Sequence, residues 1–332
     1  MATRRSTRNI SQKSSGLKLN TSASTPQGSS LPQASNASNF HSQISFLSSS
    51  TSISAKSTGL PKRDLSLLLK KQRLLKTSTP QALDALDPHL RSALSATLVF
   101  AQSEAGTAFC ISFTGLLLTC SHCVSEDPSD LEENRTKWLL FASGRVVQAK
   151  CIAYDHIRDL ALLQIISAEE RQNPLAGSST NGEASQITFP FLTISPIPPK
   201  KNTQIICIGH PGDEDLEASK PGVKTNYDVI HISYGRYRGI AEGADVQDNS
   251  EIGALMHDSW TYWGHSGAPL CTKKDGLVVG MHSSWDDETG MRRGVAWEAI
   301  TEFLKEHGDP HVIQGIGDGV VGSSKETPIL VE

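Results

Sequence analysis

The sequence predicts an all-β domain, a barrel or a sandwich, beginning near residue 96. Three observations carry this. Short apolar or alternating runs follow one another: TLVFAQ, GTAFCIS, GLLLTCSH, RVVQAKCIAY, LALLQII, QIICIGH, DVIHISY, GLVVGMH and RGVAWE. Clusters of Gly, Pro, Asn and Asp punctuate them, as turns between strands require. Little helical periodicity lies between successive runs, which argues against βαβ units and a parallel sheet.

The chain ahead of these strands reads differently. The first sixty residues are mostly Ser, Thr, Asn, Gln and Gly, with serine at about three positions in ten. Too few large apolar residues occur to offset the entropy of ordering, so residues 1–62 are expected to be a disordered arm. The overall hydrophobic content of 37% agrees with a partly unfolded chain. Residues 63–95 are expected to be a helical extension. Asp64 is placed to cap DLSLLLKKQRLLK, and Thr79 with Pro80 to start a second helix in TPQALDALDPHLRSALSA. A lid or brace for the following domain is the expected role.

Residues 96–310 form the expected domain, with one half at about 96–190 and a second at about 191–310. WEAITEFLKEH closes it as a helix, stopped by Gly308 and Pro310. Residues 311–332 read as a flexible tail.

Charge is unevenly distributed. Residues 1–76 hold twelve Lys and Arg against one acid, Asp64, giving +11; the net charge of −4 leaves −15 for the remainder. A basic arm of this kind suits nucleic acid, anionic lipid, an import receptor or plain solvation. No run of eighteen apolar residues occurs, so no membrane span is expected. The N-terminus lacks the apolar stretch of a secretory signal. The six cysteines are therefore expected to be free thiols in a reducing compartment. CSHC, residues 120–123, has no second CxxC to complete a zinc site, and neither metal nor cofactor is expected.

Three polar residues interrupt or follow apolar strands: His122 after LLLTC, Asp159 before LALLQI, and Ser266 in YWGHSGAPL. A serine hydroxyl is a poor nucleophile at neutral pH and needs an imidazole to take its proton. The imidazole needs a carboxylate to fix its tautomer and stabilise the imidazolium. The oxyanion that forms needs aimed backbone N–H groups, expected here from Gly264 and Ser266. The glycines around Ser266 allow the chain to present a side chain and a row of N–H groups together.

With these residues in place, GTAFCISFTGLLLTCSHCV, DLALLQI, CIGHPGD and GHSGAPLCTKKDGLVVGMH are together similar to the chymotrypsin-like serine peptidases. The nearest likeness is to the bacterial-type branch containing HtrA proteases and V8-like glutamyl endopeptidases, over residues 96–307. The resemblance implies two six-stranded antiparallel barrels with a His122, Asp159 and Ser266 triad in the cleft between them. It also implies serine endopeptidase activity on protein or peptide substrates. The relatives' disulfide partner for Cys123 falls on Gly106, so that bond is not expected. The position preceding the nucleophile is His265, where secreted animal relatives carry Asp, so their activation switch is absent; His265 itself is expected to lie at the surface or in a loop. No PDZ module fits in the short tail. In the V8-like branch a histidine and a hydroxyl receive an acidic side chain, and the matching positions here are His282 and Thr261. A protonated imidazole there would favour cleavage after Glu or Asp.

A different function class fits the same features: a catalytically inactive domain that binds extended peptides by edge pairing, with the basic arm touching nucleic acid or a receptor. The arm contains only Phe40 and Phe46 as aromatic residues and no recognisable nucleic-acid module. The expected compartment is nucleus or cytoplasm, with the mitochondrion as alternative. The sequence assigns no oligomeric state.

Overall fold

The computed structural model describes residues 44–47, 58–101, 106–169, 187–215, 217–308 and 312. The arm expected over 1–62 and the tail expected over 311–332 therefore lie outside the described residues, apart from 44–47, 58–62 and 312.

Two closed six-stranded antiparallel barrels make up the domain. The first contains β2 (Thr97–Phe100), β3 (Thr107–Cys110), β4 (Leu116–Thr119), β5 (Thr136–Phe141), β6 (Val146–Asp155) and β7 (Leu160–Glu169). Its order is β7-β4-β3-β2-β5-β6, and β6 pairs back onto β7 to close it. The second contains β8 (Gln204–Gly209), β9 (His231–Ile240), β10 (Leu255–His257), β11 (Pro269–Thr272), β12 (Val278–Trp285) and β13 (Arg292–Ala296). Its order is β10-β13-β12-β11-β8-β9, closed through β9 and β10. The chain then ends its second barrel in a helix, Trp297–His307.

Strands β2 and β5 are buried on both faces, which explains their continuous apolar runs. Leu98, Phe100, Leu139 and Phe141 face the barrel core, whereas Val99, Trp138 and Leu140 pack with Leu68 and Leu75 of an outer helix. That helix, α1, spans Lys62–Ala85 and is followed by the short α2, Arg91–Ser95. The expected break at Thr79–Pro80 does not occur. Leu68, Leu75 and Leu83 lie on the packed face, and burial of that face outweighs the hydrogen bond that a proline removes. Asp64 sits in the first turn of α1 and not at its cap, which is Pro61. Lys71 Nζ donates to the Phe100 carbonyl at 2.6 Å, and Gln72 Nε2 to Glu169 at 2.9 Å, tying α1 to the first barrel.

Ser45–Leu47 (β1), inside the segment expected to be disordered, adds in parallel to β7 from Ser45↔Ser167 to Leu47↔Glu169. Strand β4 covers only Ala161 to Gln164 of β7, so the later backbone groups on that edge are open to a further strand.

Candidate active site

Buried strand β4 delivers the chain to Cys120, and the single turn α3 (Ser121–Val124) carries His122. Asp159 ends the turn between β6 and β7. Asp155 Oδ1 accepts the Ile157 and Arg158 N–H groups at 3.0 Å each, and the turn finishes with Asp159 in the left-handed region at φ +54°. Among non-glycine residues Asp tolerates that region comparatively well. Arg158 fixes the turn from outside, forked onto Glu306 of the C-terminal helix, α4 (Trp297–His307), at 2.7 and 2.8 Å.

The Asp159 carboxylate is buried, yet fully supplied with donors. His122 Nδ1 lies 2.9 and 3.1 Å from its two oxygens, and the His122 backbone N–H donates at 3.3 Å. Ser121 Oγ donates at 3.0 Å and Ser283 Oγ, from β12, at 2.6 Å. Burial alone would raise this carboxyl; the His122 charge and these hydrogen bonds hold it below the ordinary value. Partial desolvation opposes charge on the His122 ring, which is 40% exposed, but the Asp159 carboxylate and the Cys123 sulfur raise it well above the ordinary imidazole value.

Ser266 comes from the second barrel, in the loop before β11. Its hydroxyl donates to the Ser283 carbonyl at 2.9 Å, and among the described residues no hydrogen bond joins it to His122. The His/Asp/Ser network is thus present and joined through Ser283, whose hydroxyl holds Asp159 and whose carbonyl holds Ser266. Thr107 of β3 clamps the loop: its N–H donates to the Ser266 carbonyl and its hydroxyl to the Gly264 carbonyl, both at 2.9 Å. With those carbonyls tied down, the Gly264 and Ser266 N–H groups have no acceptor among the described residues. Gly264 and Gly267 take φ +99° and +85°, and a Cβ on Gly267 would overlap the Thr107 carbonyl.

His282 and Thr261 are both buried, at 2% exposure each. His282 Nδ1 meets His257 Nε2 at 3.0 Å. His265, expected at the surface or in a loop, is fully buried, with Nδ1 3.0 Å from the Tyr262 carbonyl. Gly209 makes its space, since a Cβ there would collide with the ring. Burial pushes His257 and His265 down to about 3 and His282 well below its ordinary value. The protonated imidazole expected at His282 is therefore neutral in the folded protein.

Among the described residues, buried side-chain atoms without a hydrogen-bond partner gather here: His257 Nδ1, Ser259 Oγ, Thr261 Oγ1, Trp263 Nε1, His265 Nε2, Arg292 Nε and Arg293 Nε. All fall in residues 257–265 or in strand β13 beside them. Arg292 stands cross-strand from both His257 and Trp285. Buried polar groups are almost always paired, so such a concentration, donors foremost, marks a place for a ligand or water.

Sequence reading missed Ser283, Thr107, His257 and Arg292. The pair of serines after His282 in GMHSSW was the visible signal for Ser283; the other three depend on strand register. The described cysteines are all free. Cys120, His122 and Asp159 place ligand atoms within 4.8 Å of one another, the spacing of a metal cluster, but the His122–Asp159 hydrogen bond already engages two of the three. Among the described residues no helix is long and apolar enough to cross a membrane.

Residues 106–281 match the trypsin-like peptidase domain, just over half of the chain. No curated protein matches. Among solved structures the chain is similar to a serine endoprotease from Yersinia pestis, at 17% identity and a TM-score of 0.45, over 72% of this chain and 67% of that one. It is also similar to the Rv3671c protease of M. tuberculosis in its inactive form, at 16% identity and a TM-score of 0.45, over 69% and 96%. With its two chymotrypsin-like barrels and the domain match across both of them, the chain belongs to the trypsin-like peptidase family.

Proposed function

We propose that this protein is a serine endopeptidase of the HtrA and V8-like branch, cleaving after Glu or Asp. The observation that supports catalysis is the Asp159 carboxylate, held by His122 Nδ1 on one side and by Ser283 on the other, with Ser283 also holding Ser266. Rotation of Ser266 about its Cα–Cβ bond takes the hydroxyl from the Ser283 carbonyl towards His122 Nε2. His122 accepts the proton as Oγ attacks the scissile carbonyl. The Gly264 and Ser266 N–H groups stabilise the resulting oxyanion, an effect of about 3 kcal/mol per donor in such sites. His122 then protonates the leaving amine, and water repeats the sequence on the acyl-enzyme.

The acidic preference rests on His282, Thr261 and the unpaired donors around them. Because His282 and His257 are neutral when the pocket is free, the compensating charge comes from Arg292 or from a proton taken up with the substrate. Digestion of a peptide library tests this reading: cleavage concentrated after Glu and Asp is expected, and cleavage mainly after basic or large apolar residues would reject the preference.

One observation favours the inactive peptide-binding reading, namely that Ser266 rests on Ser283 and not on His122. Catalytic hydrogen bonds of this type commonly tighten only when substrate is bound, so the endopeptidase reading is preferred.

A further inference from the structure

Two cysteines bracket His122 and take no part in the chemistry above. Cys120 is fully buried and Cys123 half-buried. One tight turn separates them, closed by the Cys123 N–H onto the Cys120 carbonyl at 3.2 Å, and each thiol shifts the ionisation of the other. Each thiol also crosses to the second barrel. Cys120 Sγ lies 3.5 Å from the His282 carbonyl, and Cys123 Sγ lies 3.5 Å from the Ser266 carbonyl. On its other side Cys123 faces Gly106, where a Cβ would sit 3.4 Å from the sulfur and no thiol is available. Cys120 is thus the thiol within reach of Cys123.

We propose that Cys120 and Cys123 form a reversible disulfide, made by hydrogen peroxide or a small-molecule disulfide, that switches off the site carrying His122 and Ser266. The roles follow from exposure. Cys123, reachable from solvent, attacks; Cys120, sealed in the core, resolves. The neighbouring Cys120 thiol and the nearby His122 charge outweigh burial and bring the Cys123 thiol down to about 5, which suits an attacking thiolate. With peroxide, the Cys123 thiolate takes one oxygen and hydroxide leaves. Cys120 sulfur then displaces water from the sulfenic acid. The balance is two thiols and one peroxide to one disulfide and two waters. With a small disulfide, two small thiols are released instead.

The consequence is local. Forming the S–S bond draws the two sulfurs towards each other, so both contacts to the second barrel are lost. The fold survives, because the Ser266 carbonyl keeps the Thr107 N–H at 2.9 Å and the His282 carbonyl keeps the Gly267 N–H at 2.8 Å. What is lost is the pair of direct sulfur contacts from the turn holding His122 to the Ser266 loop and to strand β12.

The effect on turnover rests on the proposed peptidase function; formation of the bond does not. The full-length protein is treated with equimolar hydrogen peroxide, alkylated and mapped by mass spectrometry, while a fluorophosphonate reports the reactivity of Ser266. The expected result is a crosslink between residues 120 and 123 ahead of modification at Cys110, Cys151, Cys207 or Cys271. The labelling rate is expected to fall about tenfold and to recover with dithiothreitol. Cys120→Ala and Cys123→Ser should each lack that response. Oxidation of other cysteines while this pair stays reduced would overturn the proposal, as would a crosslink that leaves the labelling rate unchanged. If the reduced protein is never labelled, the peptidase reading fails and so does the switch, whereas the mapped crosslink still decides whether the disulfide exists.

Discussion

The Ser283 hydroxyl donates to Asp159 Oδ2 at 2.6 Å, the shortest of the hydrogen bonds reaching that carboxylate. It runs from the second barrel to the first, so Asp159 is oriented by the barrel that carries Ser266. Ser283→Ala removes this donor and leaves three groups on Asp159. A hydrogen bond to a charged group is worth about 1.5–3 kcal/mol, so kcat/KM is expected to fall by about ten- to a hundredfold with the thermal midpoint little changed. Steady-state kinetics on a peptide substrate, with circular dichroism as control, measures both.

Activity should rise with pH over a range higher than that of an ordinary histidine enzyme. His122 must be neutral to accept a proton, and the Asp159 and Cys123 charges hold its value well up despite partial desolvation. Asp159→Asn removes the larger of these charges and should move the ascending limb of kcat/KM to lower pH while lowering its plateau. A pH–rate profile of both proteins, taken under reducing conditions, reads this directly.

Acid should unfold the protein early. His257, His265 and His282 are buried neutral, with folded values below their unfolded values, so the unfolded chain binds more protons below about pH 6.5. Stability is therefore full above that pH and is lost as pH falls, by up to about 1.4 kcal/mol per pH unit for each histidine. Asp159, held low, acts in the same direction at lower pH; it contributes above its unfolded value and is lost as pH falls through its folded one. His122 acts oppositely, since its raised value contributes below the unfolded pKa and is lost as pH rises through the folded pKa. Urea midpoints at successive pH values should decline steadily below about pH 6, and His257→Gln should flatten that decline.

Selectivity for acidic residues should depend on Arg292. It lies cross-strand from His257, and among the described residues no carboxylate pairs with it. Arg292→Gln is expected to reduce kcat/KM on a Glu-containing peptide by about ten- to a hundredfold, and to leave the reaction with a fluorophosphonate, which carries no acidic group, near its original rate.

The pattern of strands was legible because turn residues interrupt apolar runs, and Asp159 and Ser266 stood out by sitting where those runs begin or end. His122 was legible for the same reason, at the close of LLLTC. Other features were set by tertiary packing. The path of α1 through Pro80 follows from Leu68 and Leu75 having a second apolar surface, Val99 and Leu140, to cover. His265, read as a surface or loop residue, does lie in a loop, yet Gly209 opens a buried slot for its ring. The contact between His257 and His282 needs β10 and β12 to lie on either side of β13, a register no local pattern specifies.

The most direct measurement is mass spectrometry of the full-length reduced protein after a fluorophosphonate, beside Ser266→Ala. The account predicts one adduct, on Ser266, absent from the mutant, with both proteins equally folded. An unlabelled wild type that still binds extended peptides, or an adduct on another residue, would contradict it.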